Sequence, residues 1–152
     1  MRVVGGRLRS RPIAGPKGPG LRPTADRLRE ALSRGASFAL FVDDGVEARA
    51  LLRQNSETLG LGGISRIFRR DATKLGPAHP IEPFSLVFLD PPYSRGLAEK
   101  ALVSAREGGW LKRKALIVVE EALDAAFKAP EDFEELERRG YDDTELIFLR
   151  LR

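Results

Sequence analysis

The 152-residue sequence contains no cysteine and a single histidine. The absence of cysteine excludes disulfide bonds and thiolate metal sites, and it is typical of proteins of the reducing cytoplasm. The one histidine, His79, precedes a proline in a stretch without apolar periodicity, and we interpret it as a solvated loop residue. A histidine-based metal cluster is excluded as well, so the sequence predicts no metal site.

Long apolar runs are also missing. No segment approaches the roughly 20 apolar residues of a membrane-spanning helix, and the N-terminus lacks the apolar stretch of a secretion signal. We therefore expect a cytoplasmic protein that makes no membrane contact. A composition of 42% hydrophobic and 32% charged residues over this length predicts a single domain with one core, which we expect to be a monomer.

Acidic residues are scarce in the first 30 positions, which carry eight basic residues and two acidic ones. The net charge of the whole chain is +4, so the remaining residues are slightly negative as a group. A basic arm on a mildly acidic body is typical of nucleic-acid binding, although a solubilising tail is the alternative. The alternation within residues 7–11 favours an ordered strand with one basic face. The candidate contacts are Arg2, Arg7, Arg9, Arg11, Arg22, Arg27 and Arg29.

Strand and helix patterns alternate through the middle of the chain. Residues 1–14 predict a β-hairpin around two glycines, and a glycine- and proline-rich loop leads to a helix that opens at Thr24. Further strands are predicted at 37–42, 64–70, 84–89 and 115–119, helices at 46–59 and 97–105, a loop at 72–83, and a closing antiparallel pair near 133–136 and at 144–151. This order predicts an α/β fold with a mostly parallel sheet and an antiparallel C-terminal strand, preceded by the basic hairpin.

The stretch from Phe84 to Leu89 is apolar at five of six positions. Such a run without polar alternation predicts a strand covered on both faces of a parallel sheet. Pro91 and Pro92 cannot continue a sheet ladder because proline has a fixed φ and no N–H to donate. The chain should therefore leave the sheet at Asp90, at the carboxyl end of the strand, where open α/β sheets bind ligands.

The sequence Asp90-Pro91-Pro92-Tyr93 resembles the catalytic motif of amino methyltransferases that use S-adenosylmethionine. An exocyclic amine is a poor nucleophile because its lone pair is delocalised into the base. A carboxylate and a strand-end carbonyl aimed at its N–H groups can hold the nitrogen towards tetrahedral geometry. Tyr93 offers the base a face for stacking. The alternative is an ordinary turn between a strand and a loop.

Acidic residues follow four of the predicted strands: Asp43, Asp71, Asp90 and Glu120. Several acids at one edge of a sheet indicate a polar cleft for hydroxyls and amines. Asp43, followed by Asp44, is placed to bind a ribose hydroxyl, as an acid after the second strand does in dinucleotide folds. Asp71 and Ala72 are placed to meet an adenine ring. Each acid taken singly is equally explained as a turn or helix-cap residue.

Longer segments carry a more specific resemblance. Residues 1–6, 20–30, 41–43, 70–72, 90–93 and 140–144 resemble the bacterial methyltransferases that modify a guanine N2 in 16S ribosomal RNA. The resemblance implies a Rossmann-like sheet, S-adenosylmethionine as cofactor, and ribosomal RNA or a small-subunit assembly particle as partner. It implies that Asp90 and Pro91 engage the guanine amine, that Tyr93 stacks on the base, and that the N-terminal arginines hold RNA.

One part of the family pattern is missing. In the family, a central strand and a glycine-rich cofactor loop follow the first helix, whereas here residues 30–36 pass directly to the next helix end. About thirty residues, the size of a βα unit, are absent near residues 30–33. Either the printed sequence omits this segment, which we favour because the other motifs are intact, or the protein lacks it. Losing a central strand would leave its two neighbours with unpaired backbone groups.

Two other functions therefore stay open beside guanine-N2 methylation. The first is a non-catalytic RNA-binding remnant that uses the basic arm but cannot hold the cofactor. The second is an adenine-N6 methyltransferase acting on DNA or RNA, because these enzymes share the Asp-Pro-Pro-Tyr motif. The segment Leu21-Arg22-Pro23-Thr24 disfavours the adenine enzyme.

Overall fold

The computed structural model describes residues 35–152, and the chain divides into two compact units between Asp71 and Ala72. The predicted N-terminal hairpin, the helix at Thr24, the basic arm and the break near residues 30–33 lie outside the described residues. Each unit has its own sheet and its own core.

The first unit is a parallel strand pair joined by a helix. Strand β1 spans Ala39–Val42, helix α1 spans Val46–Thr58, and strand β2 spans Ser65–Phe68. The strands pair in parallel register, from Ala39 opposite Ser65 to Val42 opposite Phe68. A small core lies beneath them, formed by the buried residues Ala39, Phe41, Leu59 and Leu61. This βαβ arrangement confirms the predicted parallel pairing.

The second unit contains a four-stranded sheet in the order β3–β4–β6–β5. Its elements are a 3₁₀ helix at Ala72–Lys74, β3 at Phe84–Leu89, α2 at Leu97–Glu107, β4 at Leu111–Ala122, β5 at Phe133–Tyr141 and β6 at Thr144–Leu151. Strands β3 and β4 are parallel, and β6 is antiparallel to both β4 and β5. The predicted α/β fold with parallel strands followed by antiparallel C-terminal strands is confirmed.

The core of this unit lies on the face of the sheet that α2 covers. Alternate residues of β4 and β6 point to this face, because side chains along a strand alternate between its two sides. Ile117, Val119, Ile147 and Leu149 are each fully buried there, and Leu102 of α2 packs against them. The two central strands thus carry most of the buried apolar surface.

Strand β5 extends five residues beyond the predicted segment at 133–136. Its second half is rich in charged residues, so it lacks the alternation of apolar residues from which strands are predicted. Arg138 donates to Glu145 at 2.7 Å, and Arg139 donates to Glu137 at 2.7 Å. A hydrogen bond from Arg138 also lowers the pKa of Glu135 below its ordinary value. Charged side chains are typical of sheet edges, which β5 forms here.

Strand β3 differs from its prediction as well. The apolar run predicts cover on both faces, but Ser85 is exposed and Leu86 is 38% exposed. Within residues 35–152, β3 pairs only with β4, and β1 pairs only with β2. No helix in this part of the chain is long and apolar enough to cross a membrane.

Candidate active site

The predicted catalytic segment lies at the carboxyl end of β3. The last residue of the strand, Leu89, is opposite Val119 of β4, and the chain leaves the sheet at Asp90 as predicted. The two prolines that follow explain this exit, since neither can donate to a ladder. Asp90 is half-buried, so its side chain is not enclosed in the core.

The two residues after the prolines are held by the end of β4. The hydroxyl of Tyr93 donates to Glu120 Oε1 at 3.1 Å, and the backbone N–H of Ser94 donates to Glu121 Oε1 at 2.9 Å. Glu120 and Glu121 project to opposite sides of β4 because successive strand residues alternate. The loop is therefore attached at two points to the neighbouring strand. Glu120 was predicted to follow a strand that ends at 119, but β4 continues to Ala122, so both acids lie within the strand. The contribution of Glu121 was not predicted.

The loop after β1 is built around Asp43. Its Oδ1 accepts a hydrogen bond from the N–H of Gly45 at 2.7 Å, and a side chain at Gly45 would place Cβ 3.0 Å from that oxygen. Glycine therefore leaves the carboxylate room for this close approach, and any larger residue would push against it. Oδ2 of Asp43 accepts no hydrogen bond from the described residues, so the half-buried carboxylate keeps an acceptor for a ligand hydroxyl.

Arg49 in the first turns of α1 supports the same loop from behind. It is 6% exposed, and its Nη1 donates to the carbonyl oxygens of Asp43 at 3.3 Å and Asp44 at 2.5 Å. Its buried Nε has no hydrogen-bond partner among residues 35–152. The residue pattern does not predict this contact, because an arginine in a helix is normally a solvated side chain.

The other predicted cofactor residues follow β2. Asp71 is exposed and lies three residues beyond Phe68, the end of β2. Since β1 and β2 are parallel, Asp43 and Asp71 follow the same edge of the pair. Ala72 begins the 3₁₀ helix of the second unit, which also carries Asp90 and Tyr93. That these residues bind cofactor or base stays a prediction.

Comparison with known proteins places the chain in a family. The family model described as conserved hypothetical protein 95 matches it in two segments, residues 1–32 and 28–150. The chain belongs to this family. The predicted resemblance to ribosomal RNA methyltransferases is confirmed by relatives that are named as such. The two matched segments overlap at residues 28–32, where the sequence predicts the missing βα unit.

Two relatives in this family illustrate the match. Ribosomal RNA small subunit methyltransferase D of Escherichia coli strain K12 is 32% identical over 152 residues, covering 82% of this chain and 76% of the relative. The protein of the same name from Haemophilus influenzae is 28% identical over 163 residues, covering 88% and 84%. The second alignment has more positions than this chain has residues, so the relative contains residues that this family member lacks.

Solved structures share the fold of this family member. An Escherichia coli protein described as the methyltransferase yhhF superposes with a TM-score of 0.84 at 23% identity, covering 99% of this chain and 97% of that one. A Haemophilus influenzae protein described as the methylase HI0767 gives a TM-score of 0.71 at 29% identity, covering 81% and 78%. The predicted Rossmann-like methyltransferase fold is confirmed.

Proposed function

We propose that this protein transfers a methyl group from S-adenosylmethionine to the exocyclic N2 amine of a guanine in 16S ribosomal RNA. The observation that carries the proposal is the exit of the chain at Asp90, at the carboxyl end of a parallel strand, with the following loop attached to β4. The named relatives supply the substrate class, since two of them are small-subunit ribosomal RNA methyltransferases.

The chemistry follows from the groups at this strand end. The cofactor would supply an electrophilic methyl group, and the amine nitrogen of the base would form the new bond to its carbon as the carbon–sulfur bond breaks. The Asp90 carboxylate and a neighbouring backbone carbonyl accept hydrogen bonds from the amine, which directs its lone pair towards the methyl group. Tyr93 stacks on the base after it is flipped into the cleft. The proton released from nitrogen passes to the carboxylate or to water.

The residues that follow β1 and β2 fit part of the cofactor. Oδ2 of Asp43, which accepts no hydrogen bond from residues 35–152, suits a ribose hydroxyl, and Asp71 with Ala72 would lie near the adenine. The proposal also includes the predicted cofactor residue Asp44, whose carbonyl oxygen accepts a hydrogen bond from Arg49. The glycine-rich loop that the family places at the cofactor has no counterpart in the described residues, so this part of the fit is incomplete.

That gap supports a second candidate function, an RNA-binding remnant without catalysis. Three observations favour it: the family match in two overlapping segments, the longer alignment with the Haemophilus relative, and the single pairing partners of β1 and β3 within residues 35–152. An adenine-N6 enzyme is less well supported, because the relatives quoted above are named for ribosomal RNA.

Calorimetry and product analysis decide between these functions. We expect S-adenosylmethionine to bind with a Kd near the micromolar range, about −8 kcal/mol, and Asp43→Ala to weaken binding about tenfold or more. The exposed residue Asp124 provides the control, since Asp124→Ala should leave the Kd unchanged.

Labelled methyl groups should then appear on guanine N2 after incubation with unmodified 16S ribosomal RNA. Absence of binding heat at millimolar cofactor, with RNA affinity intact, would show the remnant instead.

The basic arm is expected to contribute the salt dependence of RNA binding. Replacing Arg7, Arg9 and Arg11 with alanine should reduce the slope of log K against log salt by about 2 to 3, because each phosphate contact contributes about 0.7 to 0.9. The measurement is a fluorescence titration with ribosomal RNA at several salt concentrations.

A matched control removes the same charge elsewhere. Lys112, Arg113 and Lys114 are three exposed cations at the start of β4, the end of the strand opposite Glu120. Their triple alanine variant should leave most of the slope in place. An equal loss of slope in both variants would mean that the arm acts only through net charge.

A further inference from the structure

Glu121 is a carboxylate in an environment where carboxylates are rare. It is 2% exposed, next to the last residue of β4, and glutamate is almost never fully buried without a partner. Its Oε1 accepts hydrogen bonds from two backbone N–H groups, Ser94 at 2.9 Å and Ala122 at 3.0 Å. One of these donors belongs to its own strand, and the other belongs to the loop that carries the Asp-Pro-Pro-Tyr segment.

A comparison with the other buried glutamate of this unit separates structural from positioning roles. Glu145 is 4% exposed and forms an ion pair with Arg138 at 2.7 Å, which accounts for its burial. Glu121 forms no ion pair with a basic side chain of residues 35–152. It accepts hydrogen bonds from the backbone amides of Ala122, in its own strand, and of Ser94, in the loop after β3. The hydrogen bond from Ser94 is therefore the contact through which this buried carboxylate acts on that loop.

The residue that Glu121 holds has an unusual backbone. Ser94 has φ +56°, in the left-handed region that non-glycine residues rarely adopt. Such a conformation persists when surrounding contacts fix it, and the hydrogen bond to Glu121 is one such contact. The hydroxyl of the preceding Tyr93 is held in turn by Glu120.

The geometry points to a positioning role for Glu121, an inference that rests on the proposed function. The segment between Leu89, paired in the sheet, and Ser94, bonded to Glu121, contains two prolines of fixed φ. With both ends attached to β4, this short and stiff segment has little freedom to move Asp90 and Tyr93. A reacting group has to be held within roughly 0.5 Å of its productive position. Glu121 provides that restraint without touching the base or the cofactor.

Three variants of Glu121 test the inference through the single-turnover rate of methyl transfer with enzyme in excess. Glu121→Gln keeps an oxygen that can accept both N–H groups, so its rate should stay within about threefold of wild type. Glu121→Ala removes the acceptor, and we expect a loss of about 10- to 100-fold, since an error near 1 Å can cost a factor of 10². Glu121→Asp keeps the charge but withdraws the oxygen, and it should be slowed as well. Cofactor and RNA affinities should change little in all three.

Glu145→Gln and Glu145→Ala are the matched controls. They disturb an equally buried glutamate, so they should lower thermal stability without slowing the single-turnover step of the folded enzyme. If Glu121→Ala does not fold, Glu121→Asp gives the decision. A wild-type rate of methyl transfer in the deciding Glu121 variant would overturn the inference. So would rates that fall in proportion to thermal stability in both the Glu121 and the Glu145 variants.

A second measurement separates this inference from the proposed function. Amide hydrogen exchange at Ser94 can be followed by NMR in the free protein, without cofactor or RNA. We expect exchange at least tenfold faster in Glu121→Ala, or in Glu121→Asp if the alanine variant does not fold, than in wild type and Glu121→Gln. A wild-type chain that transfers no methyl group refutes the proposed function, whereas unchanged Ser94 exchange refutes the role of Glu121 even in an active enzyme.

Discussion

Replacing Asp90 with alanine should lower methyl-transfer turnover by about 10²- to 10³-fold or more, while RNA affinity stays within about twofold. The carboxylate is proposed to act on the amine as charge develops at nitrogen, and groups of this kind contribute about that much to a rate constant. We expect the Asp90 carboxylate to contribute little to RNA affinity, because it would contact a single base of an extended substrate. Steady-state kinetics with labelled cofactor and an equilibrium RNA titration measure the two quantities separately.

Two further variants sharpen this prediction. Asp90→Asn keeps one acceptor oxygen and should retain more activity than Asp90→Ala. The exposed Asp124, in the turn after β4, serves as the control for loss of one negative charge, and Asp124→Ala should behave as wild type. Wild-type turnover in Asp90→Ala would exclude the proposed role, and a matched loss of RNA affinity would assign Asp90 to substrate binding.

The second large effect is expected on stability. Ile147→Ala should lower the free energy of unfolding by about 2–5 kcal/mol, because it leaves a cavity beneath the central strand β6. Ile147 is fully buried and lies in the main core cluster. Urea unfolding followed by circular dichroism measures the change.

Leu146→Ala is the matched control in the same strand. Leu146 points to the opposite face and is only partly buried, so a smaller loss is expected. Equal losses in the two variants would mean that the face covered by α2 is not the dominant core of this sheet. The comparison therefore tests the observed register of β6 as well as its burial.

The fold was predictable where the local pattern and the tertiary context agree. The apolar run before Asp90 and the two prolines after it predict both the strand and its end. Strand β6 was predicted at its observed bounds because its apolar residues alternate and a turn precedes it. Strand β5 was predicted too short because Arg138 and Arg139 are paired with glutamates, a fact that no alternation of residue types reveals.

Some residues of the candidate site were predictable from the sequence and others were not. Asp43 and Asp90 could be predicted because an acid directly after an apolar strand has a known place at the sheet edge. Arg49 and Glu121 could not, because each is a charged residue whose burial depends on backbone groups brought near by folding. Ser94 and Glu121 are 27 residues apart in sequence. A single sequence carries no signal for such a contact. The two consecutive acids Glu120 and Glu121 after an apolar run do mark the end of β4 as a candidate site.

The two borders of the four-stranded sheet have opposite characters. Strand β5 is lined with charged side chains, which discourage other chains from adding to it. Strand β3 has no charged residue between Phe84 and Leu89, and its Leu86 exposes an apolar side chain to solvent. Within residues 35–152, β3 has a pairing partner on one side only, so two copies that meet at its other side can extend one another's sheets. Aggregation during synthesis and storage is expected to begin at this strand, and a lysine at Leu86 is the natural substitution to suppress it.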